Sequence, residues 1–352
     1  MGLSLETTIN NKIAIIGLGI NFQKNIEGIH NVFRNKKILY VDKNLKAGNS
    51  LVRPVCHEEF IALNDFNEFD IVLTSYNFDE LIEMYEKYSN NIYILKYNDN
   101  YNSIVNIIKF DKSKVNNNEE PKFKDNKNIL ITGTTSGIGN ELARYLTQRS
   151  YNVYGVSKSD KNIFNENYYH IKYDLNQIDE IKNVVEKLPK NLNSIYLNAG
   201  ISLFSDNYLN INADQIEKIF RVNTISNMLL LNKLFENNNI GKDTSIVYTK
   251  TNLTGSINEA VYASSKLAFE KYLDEFSLSN HGYKNIYKID PGWLKTKMGT
   301  ERAPNSVEAI YPVFLLPLLA NVEKKVITVN AIDFCKNNIS ECFKKLKFIA
   351  VI

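Results

Sequence analysis

The chain of 352 residues reads as an α/β protein built of two doubly wound parallel-sheet domains, and three observations predict this. Short apolar runs of strand length alternate with helical stretches along both halves of the chain. Each half opens with an apolar run that leads into a glycine-containing turn, and a polar, charged stretch separates the halves. The predicted boundaries are 1–110 for a small first domain, 111–126 for a linker and 127–352 for a second, larger domain.

In the first domain Lys12-Ile13-Ala14-Ile15-Ile16 is a buried strand, followed by the turn Gly17-Leu18-Gly19-Ile20-Asn21-Phe22 and a helical stretch to about Phe33. The strands Lys37 to Asp42 and Phe69 to Ser75, a helix near Asp79 to Tyr88 and the strand Ile92 to Leu95 continue the alternation. Gly17, Gly19 and Asp42 fit a nucleotide site, with Asp42 at the end of the second strand. Phe22, however, occupies the place of a third glycine and argues against a helix packed closely under a pyrophosphate. Two readings stay open, a working nucleotide pocket and a scaffold that has lost one. The stretch from Asp111 to Asn126 then carries one proline and almost no apolar residue, as a linker does.

The second domain begins with the strand Asn128-Ile129-Leu130-Ile131 and the turn Thr132-Gly133-Thr134-Thr135-Ser136-Gly137-Ile138-Gly139, after which a helical pattern runs from Glu141. Gly133 permits the tight turn, Gly137 lets backbone approach a pyrophosphate, and Gly139 allows close packing of helix on strand, with the helix N-terminus toward the phosphates. Farther on, Tyr262-Ala263-Ser264-Ser265-Lys266 puts Tyr262 and Lys266 four apart, on one helix face. The ammonium is therefore expected beside the phenol, favouring its ionised form. A tyrosine with its ordinary pKa of about 10 is a poor acid or base at neutral pH, so proton transfer needs such a neighbour.

In this order of motifs the stretch from 127 to 300 resembles the short-chain dehydrogenase/reductase family. Leu197-Asn198-Ala199-Gly200 matches the family's Asn-Ala-Gly motif, Asn223 its helix asparagine, and Pro291-Gly292-Trp293-Leu294-Lys295-Thr296 its Pro-Gly loop over the nicotinamide. The resemblance implies two Rossmann-like domains, the C-terminal one with the short-chain dehydrogenase/reductase fold. It also implies hydride transfer between a nicotinamide cofactor and a substrate carbon. Tyr262 would then exchange the proton, Lys266 would hold the phenol's charge and bind the ribose hydroxyls, and Asn223 would support a water-linked proton route. The implied cofactor-binding set is Thr132, Gly133, Ser136, Gly137, Ile138, Gly139, Lys158, Asp174, Leu175, Asn198, Ala199, Gly200, Tyr262, Lys266, Pro291, Gly292 and Thr296.

One position departs from the family. A serine usually follows the strand Ser245-Ile246-Val247-Tyr248, and here Thr249-Lys250-Thr251-Asn252-Leu253-Thr254-Gly255 stands instead. Counting forward favours Thr251, counting back from Tyr262 favours Thr249, and either keeps a hydroxyl donor. The second strand ends in Val156-Ser157-Lys158 without the acidic residue that would bind a free ribose 2′-hydroxyl. Charge there favours NADP(H) over NAD, with Asp174-Leu175 at the adenine-contacting position. Residues 1–110 resemble the small Rossmann-like domains of bacterial surface-polysaccharide biosynthesis enzymes, which implies a sugar or sugar-nucleotide substrate. Three activities are compatible: a carbonyl reductase or alcohol dehydrogenase, an epimerase or dehydratase that retains its cofactor, and a cofactor-binding scaffold without turnover.

Composition bounds the rest. A net charge of +3 from 42 basic and 39 acidic residues forms no basic stripe, so nucleic acid is not a favoured partner. Three cysteines suit a reducing cytoplasm, four histidines lack metal-site spacing, and the N-terminus lacks a secretory pattern. The apolar run from Ala309 to Ala320 is too short for a membrane span and holds two prolines; it reads as core, pocket wall or subunit contact, and a homo-oligomer is expected. Trp293, Met298 and the region Tyr311 to Phe314 are candidates for the substrate pocket or plain core.

Overall fold

The structure is a computed structural model; it describes residues 9–17, 20–42, 54–63, 66–74, 78–85, 91–97, 104–110, 127–160, 165–202, 210–253, 257–279, 282–320, 322, 325–334, 342 and 346. Gly19, the expected linker 111–126, and residues 347–352 lie outside the described residues. The chain divides into two compact units, one within residues 1–117 and the other within 118–350.

In the first unit, strands β1 (Lys12–Ile16), β2 (Lys37–Val41), β3 (Phe69–Leu73), β4 (Ile92–Tyr97) and β5 (Ile104–Lys109) form a sheet in the order β2-β1-β3-β4-β5. The first four strands run parallel, as the alternation predicts. β5 pairs antiparallel with β4 and was not expected; its run Ile104-Val105-Asn106-Ile107-Ile108 is β-branched, but a repeating strand-helix pattern calls for a helix there. Helix α1 (Ile20–Val32) presents Phe22 and Ile29 to a core with Ile13, Ile15, Val72 and Tyr93. The other helices of this unit are α2 (His57–Ile61) and α3 (Phe78–Tyr85).

The second unit has seven parallel strands: β6 (Asn128–Thr132), β7 (Asn152–Ser157), β8 (Tyr168–Lys172), β9 (Leu192–Leu197), β10 (Ile240–Thr249), β11 (Asn285–Asp290) and β12 (Val326–Asn330), in the order β12-β11-β10-β9-β6-β7-β8. Consecutive strand residues point to opposite faces, so β6 feeds two cores. Ile129 and Ile131 pack with helices α4 (Gly137–Thr147) and α9 (Val307–Leu319). Leu130 packs on the other face with α5 (Ile181–Val185), α7 (Ser226–Glu236) and α8 (Ala260–Ser277). Both units are thus doubly wound α/β layers, as expected. Burial on both faces explains why these strands read as unbroken apolar runs.

The two-proline run belongs to α9, with Pro312 and Pro317 inside the helix. Ile310, Val313, Phe314 and Leu316 are buried in the core beneath it, and the Tyr196 hydroxyl donates to the Phe314 carbonyl at 2.7 Å. Of the three roles open to it, this segment fills that of core. Among the described residues, no helix is long and apolar enough to cross a membrane.

Candidate active site

A cleft of about 990 Å³ opens at the carboxyl ends of the second unit's strands, where the strand order reverses between β6 and β9. Such a switch point is where an open α/β sheet leaves room for a ligand. The glycine turn forms one wall. Gly133 adopts a left-handed φ of 79°, and its N–H donates to the Val156 carbonyl at 2.8 Å, which locks the turn to β7. A Cβ on Gly139 would overlap the Gly133 carbonyl oxygen and stand 2.7 Å from Asn198 Nδ2, so only glycine lets α4 seat this closely. The first turn of α4 carries no acidic residue, which leaves its positive end unopposed toward the cleft.

Most of the predicted residues line this one cleft. Gly133, Ser136, Gly137 and Ile138 come from the turn, and Lys158, Asp174 and Leu175 from the ends of β7 and β8. Asn198, Ala199 and Gly200 follow β9, Tyr262 and Lys266 stand on α8, and Pro291, Gly292 and Thr296 follow β11. Thr249 and Thr251 are also present. Thr132, Gly139 and Asn223 instead stand behind the wall. The Thr132 hydroxyl accepts the N–H groups of Asn198 and Ala199, each at 3.0 Å, so it anchors that motif to β6.

Asn223 is fully buried in a π-helical turn, Arg221–Ile225, between α6 (Ala213–Phe220) and α7. Such turns cost helix regularity and recur at functional sites. Its side chain donates to the Ile201 carbonyl and to Ser265 Oγ, both at 2.9 Å, and accepts the Ile201 N–H at 2.8 Å. Ser265 Oγ in turn donates to the Tyr262 carbonyl at 2.7 Å. Asn223 therefore ties the loop after β9 to the helix that bears Tyr262 and Lys266.

The two threonines differ in their bonding. Thr249 Oγ1 donates its hydrogen to Asn198 Oδ1 at 3.2 Å. Thr251 Oγ1 accepts the Leu253 N–H at 3.3 Å, a contact that does not use the hydroxyl hydrogen.

Burial and nearby carboxylates act against the ionised phenol that is expected beside Lys266. Burial raises Tyr262 to about 12, and the carboxylates of Asp290 and Glu259 push the same way. Lys266 is itself so deeply buried that its ammonium is lowered to about 7, against the opposing pull of Glu270 and Asp290. Lys266 Nζ also lies over the Tyr248 ring, 4.6 Å from its centre, and the Tyr248 hydroxyl holds the Lys266 carbonyl at 2.9 Å.

At the far end of the cleft Lys158 Nζ meets Asp174 Oδ2 at 2.8 Å, so the cation expected for a 2′-phosphate and the carboxylate expected near adenine pair with each other. Lys218 is a second cation lining this end. Thr296 sits over the glycine turn, close enough that a Cβ on Gly137 would stand 3.4 Å from its methyl. The left-handed Gly133 and Gly137 (φ 79° and 57°), the first turn of α4 free of carboxylates and cations at the far end suit a nicotinamide dinucleotide.

Sequence reasoning passed over Asp290, Lys250, Glu259 and Glu270. Asp290 directly precedes Pro291-Gly292, lines the cleft, and accepts the Gly292 N–H at 2.9 Å. Burial raises its carboxyl above the usual range, although the N–H groups of Gly292 and Asn252 and the charge of Lys250 oppose that shift. An acidic residue at the strand end, directly before Pro291-Gly292, was the available signal.

Comparison with known proteins shows the family of the second unit. Residues 127–306 match the family described as short chain dehydrogenase. An NADP-dependent 3-hydroxy acid dehydrogenase of Schizosaccharomyces pombe is 25% identical over 196 residues, 51% of this chain and 75% of that protein. Versicolorin reductase 1 of Dothistroma septosporum is 25% identical over 191 residues, covering 49% of this chain and 72% of the relative. Among solved structures, the Escherichia coli oxidoreductase yciK superposes with a TM-score of 0.53 at 21% identity, over 61% of this chain and 99% of that one. A short chain dehydrogenase from Burkholderia cenocepacia, solved with NADP, gives 0.51 at 16% identity, over 60% and 98%. Strand order, glycine turn, cleft and sequence match agree: the chain belongs to the short-chain dehydrogenase/reductase family of oxidoreductases.

Proposed function

We propose that the protein reduces a carbonyl to an alcohol with NADPH, and in reverse oxidises the alcohol with NADP+, with residues 127–352 as catalytic domain, 1–110 as a small Rossmann-like accessory domain and 111–126 joining them. The observation that carries this reading is the convergence of Tyr262, Lys266 and Thr251 with the glycine turn on a single cleft. NADPH, when bound, supplies the hydride. Thr251 donates its hydroxyl hydrogen to the substrate oxygen, Tyr262 gives that oxygen its proton, and Lys266 holds the ribose and the phenolate left behind. Asn223 fixes the loop after β9 and the Tyr262 helix in one geometry. Thr249, whose hydrogen goes to Asn198, is the poorer donor.

The preference for NADPH rests on Lys158, with Lys218 beside it, and is supported by a relative named as NADP-dependent. A sugar or sugar nucleotide is one substrate class for this site. The names of two relatives add 3-hydroxy acids and versicolorin to the trial set. A cytoplasmic setting and self-association go with this reading.

The test is purified protein assayed for NADPH oxidation against sugar nucleotides, keto acids and versicolorin, beside Tyr262→Phe. Net oxidation that Tyr262→Phe abolishes supports the reductase. Converted sugar without net oxidation points to a cofactor-retaining epimerase or dehydratase. NADPH binding with no turnover of any class, in wild type and variant alike, would leave only a scaffold.

A further inference from the structure

Helix α8 spaces Tyr262, Lys266, Glu270 and Asp274 four residues apart, which sets them in one stripe. The stripe faces Lys250, next after β10, and Lys288 and Asp290, two apart on β11. Glu270 Oε1 receives both Lys250 Nζ and Lys288 Nζ at 3.0 Å, and Lys288 also donates to Asp274 at 2.9 Å. The side chains of Lys250, Lys288 and Glu270 are only 9%, 6% and 11% exposed. With Lys266 and Asp290 they make a buried cluster of three ammonium and two carboxyl groups directly beneath the cleft, and Asp274, 40% exposed, stands at its rim.

Burying so many charges costs several kcal/mol per ion before pairing, and apolar side chains would hold α8 on the sheet at least as well. Stability alone gives no reason for the cluster. Its position does, because Lys266, Lys250 and Asp290 all line the cleft and Lys266 is the member next to Tyr262 on the helix face. The groups acting on Lys266 are Glu270 on its own helix and Asp290 on β11, both favouring the ammonium, against burial. Lys250 and Lys288 compete for the same Glu270 carboxylate, while Tyr262 and Glu259 lie toward the cleft.

We infer that Glu270 is a positioning residue for the reaction: its carboxylate, shared with Lys250 and Lys288, keeps the Lys266 side chain in the ammonium form that grips the cofactor. This rests on the cofactor role proposed for Lys266. The sign follows directly. NADPH affinity is constant below the Lys266 midpoint and falls as pH rises through it. Removing the negative charge of Glu270 moves the midpoint down, and removing the positive charge of Lys250 moves it up.

The experiment is NADPH titration by fluorescence at a series of pH values from about 5 to about 9.5 for wild type, Glu270→Gln, Glu270→Asp and Lys250→Met. Glu270→Gln is expected to lower the midpoint by about one pH unit, weakening NADPH about tenfold above it. Lys250→Met should shift it the opposite way, and Glu270→Asp should restore most of the wild-type profile. Should Glu270→Gln not fold, Lys250→Met decides alone, since its midpoint must rise. Midpoints that coincide, or that fall in both variants as a mere loss of packing would make them, overturn the inference and leave the reductase reading intact. Wild-type protein that binds no NADPH at any pH overturns both.

Discussion

The two units open with the same device and then part at one residue. Gly17 and Gly133 both take a left-handed φ, 89° and 79°, and each donates its N–H to a carbonyl near the end of the neighbouring second strand, Val41 at 3.1 Å and Val156 at 2.8 Å. Threonine reinforces both turns: Thr74 Oγ1 donates to the Ile16 carbonyl at 3.1 Å, and Thr132 Oγ1 donates to the Tyr196 carbonyl at 3.3 Å. Beyond the turn, Gly139 lets α4 rest against the Gly133 carbonyl, whereas Phe22 is buried and packs edge-on against Tyr40, ring centres 5.8 Å apart. One helix start is bare backbone beside a cleft; the other is filled by an aromatic ring. The first glycine sets the path of the chain, and the residue five or six places on decides whether the helix can approach a phosphate.

If chemistry is confined to the second unit, Tyr262→Phe should lower kcat by about 10²- to 10⁴-fold while NADPH affinity changes little. Steady-state rates and fluorescence titration would check this, and substantial residual turnover would mean that the comparison misplaces the chemistry. Next in size is Phe22→Ala. Loss of a fully buried ring should cost about 3–5 kcal/mol in denaturant unfolding, with NADPH affinity of the folded protein unchanged. An affinity loss there would make the first unit part of the cofactor site.

Gly139→Ala is the counterpart in the second unit. The added methyl meets backbone that cannot swing aside, so about 1–3 kcal/mol of stability should be lost and NADPH binding weakened, both readable in one thermal-shift titration. Unchanged affinity would show that close seating of α4 is structural only. The smallest effect belongs to Lys158→Glu, which should weaken NADPH about tenfold and NADH hardly at all. Equal losses for the two cofactors would remove Lys158 from the 2′-phosphate and turn attention to Lys218.

How legible each part was depended on the distance over which it is decided. The strands, the glycine turn and the Tyr262 to Lys266 spacing are local patterns, and they appear in the structure where periodicity put them. β5 was missed because its antiparallel pairing is a choice of partner, not of local conformation. The roles of the two threonines could not be separated by counting. Thr249 faces Asn198, 51 residues earlier, and only that contact shows where its hydrogen goes.

Along the chain, then, alternation of apolar runs, three glycines and a four-residue helical spacing establish an α/β fold with a glycine turn at a strand end and a tyrosine and a lysine on one helix face, and the family resemblance adds the dehydrogenase reading. What they do not establish is the charge on those two residues. Asp290 and Lys250 lie at the ends of adjacent strands, and Glu270 stands one turn beyond Lys266. Sheet register brings them together in a place from which water is largely excluded. Coulomb interactions there act through space at low dielectric, with a strength set by burial and separation rather than by order in sequence.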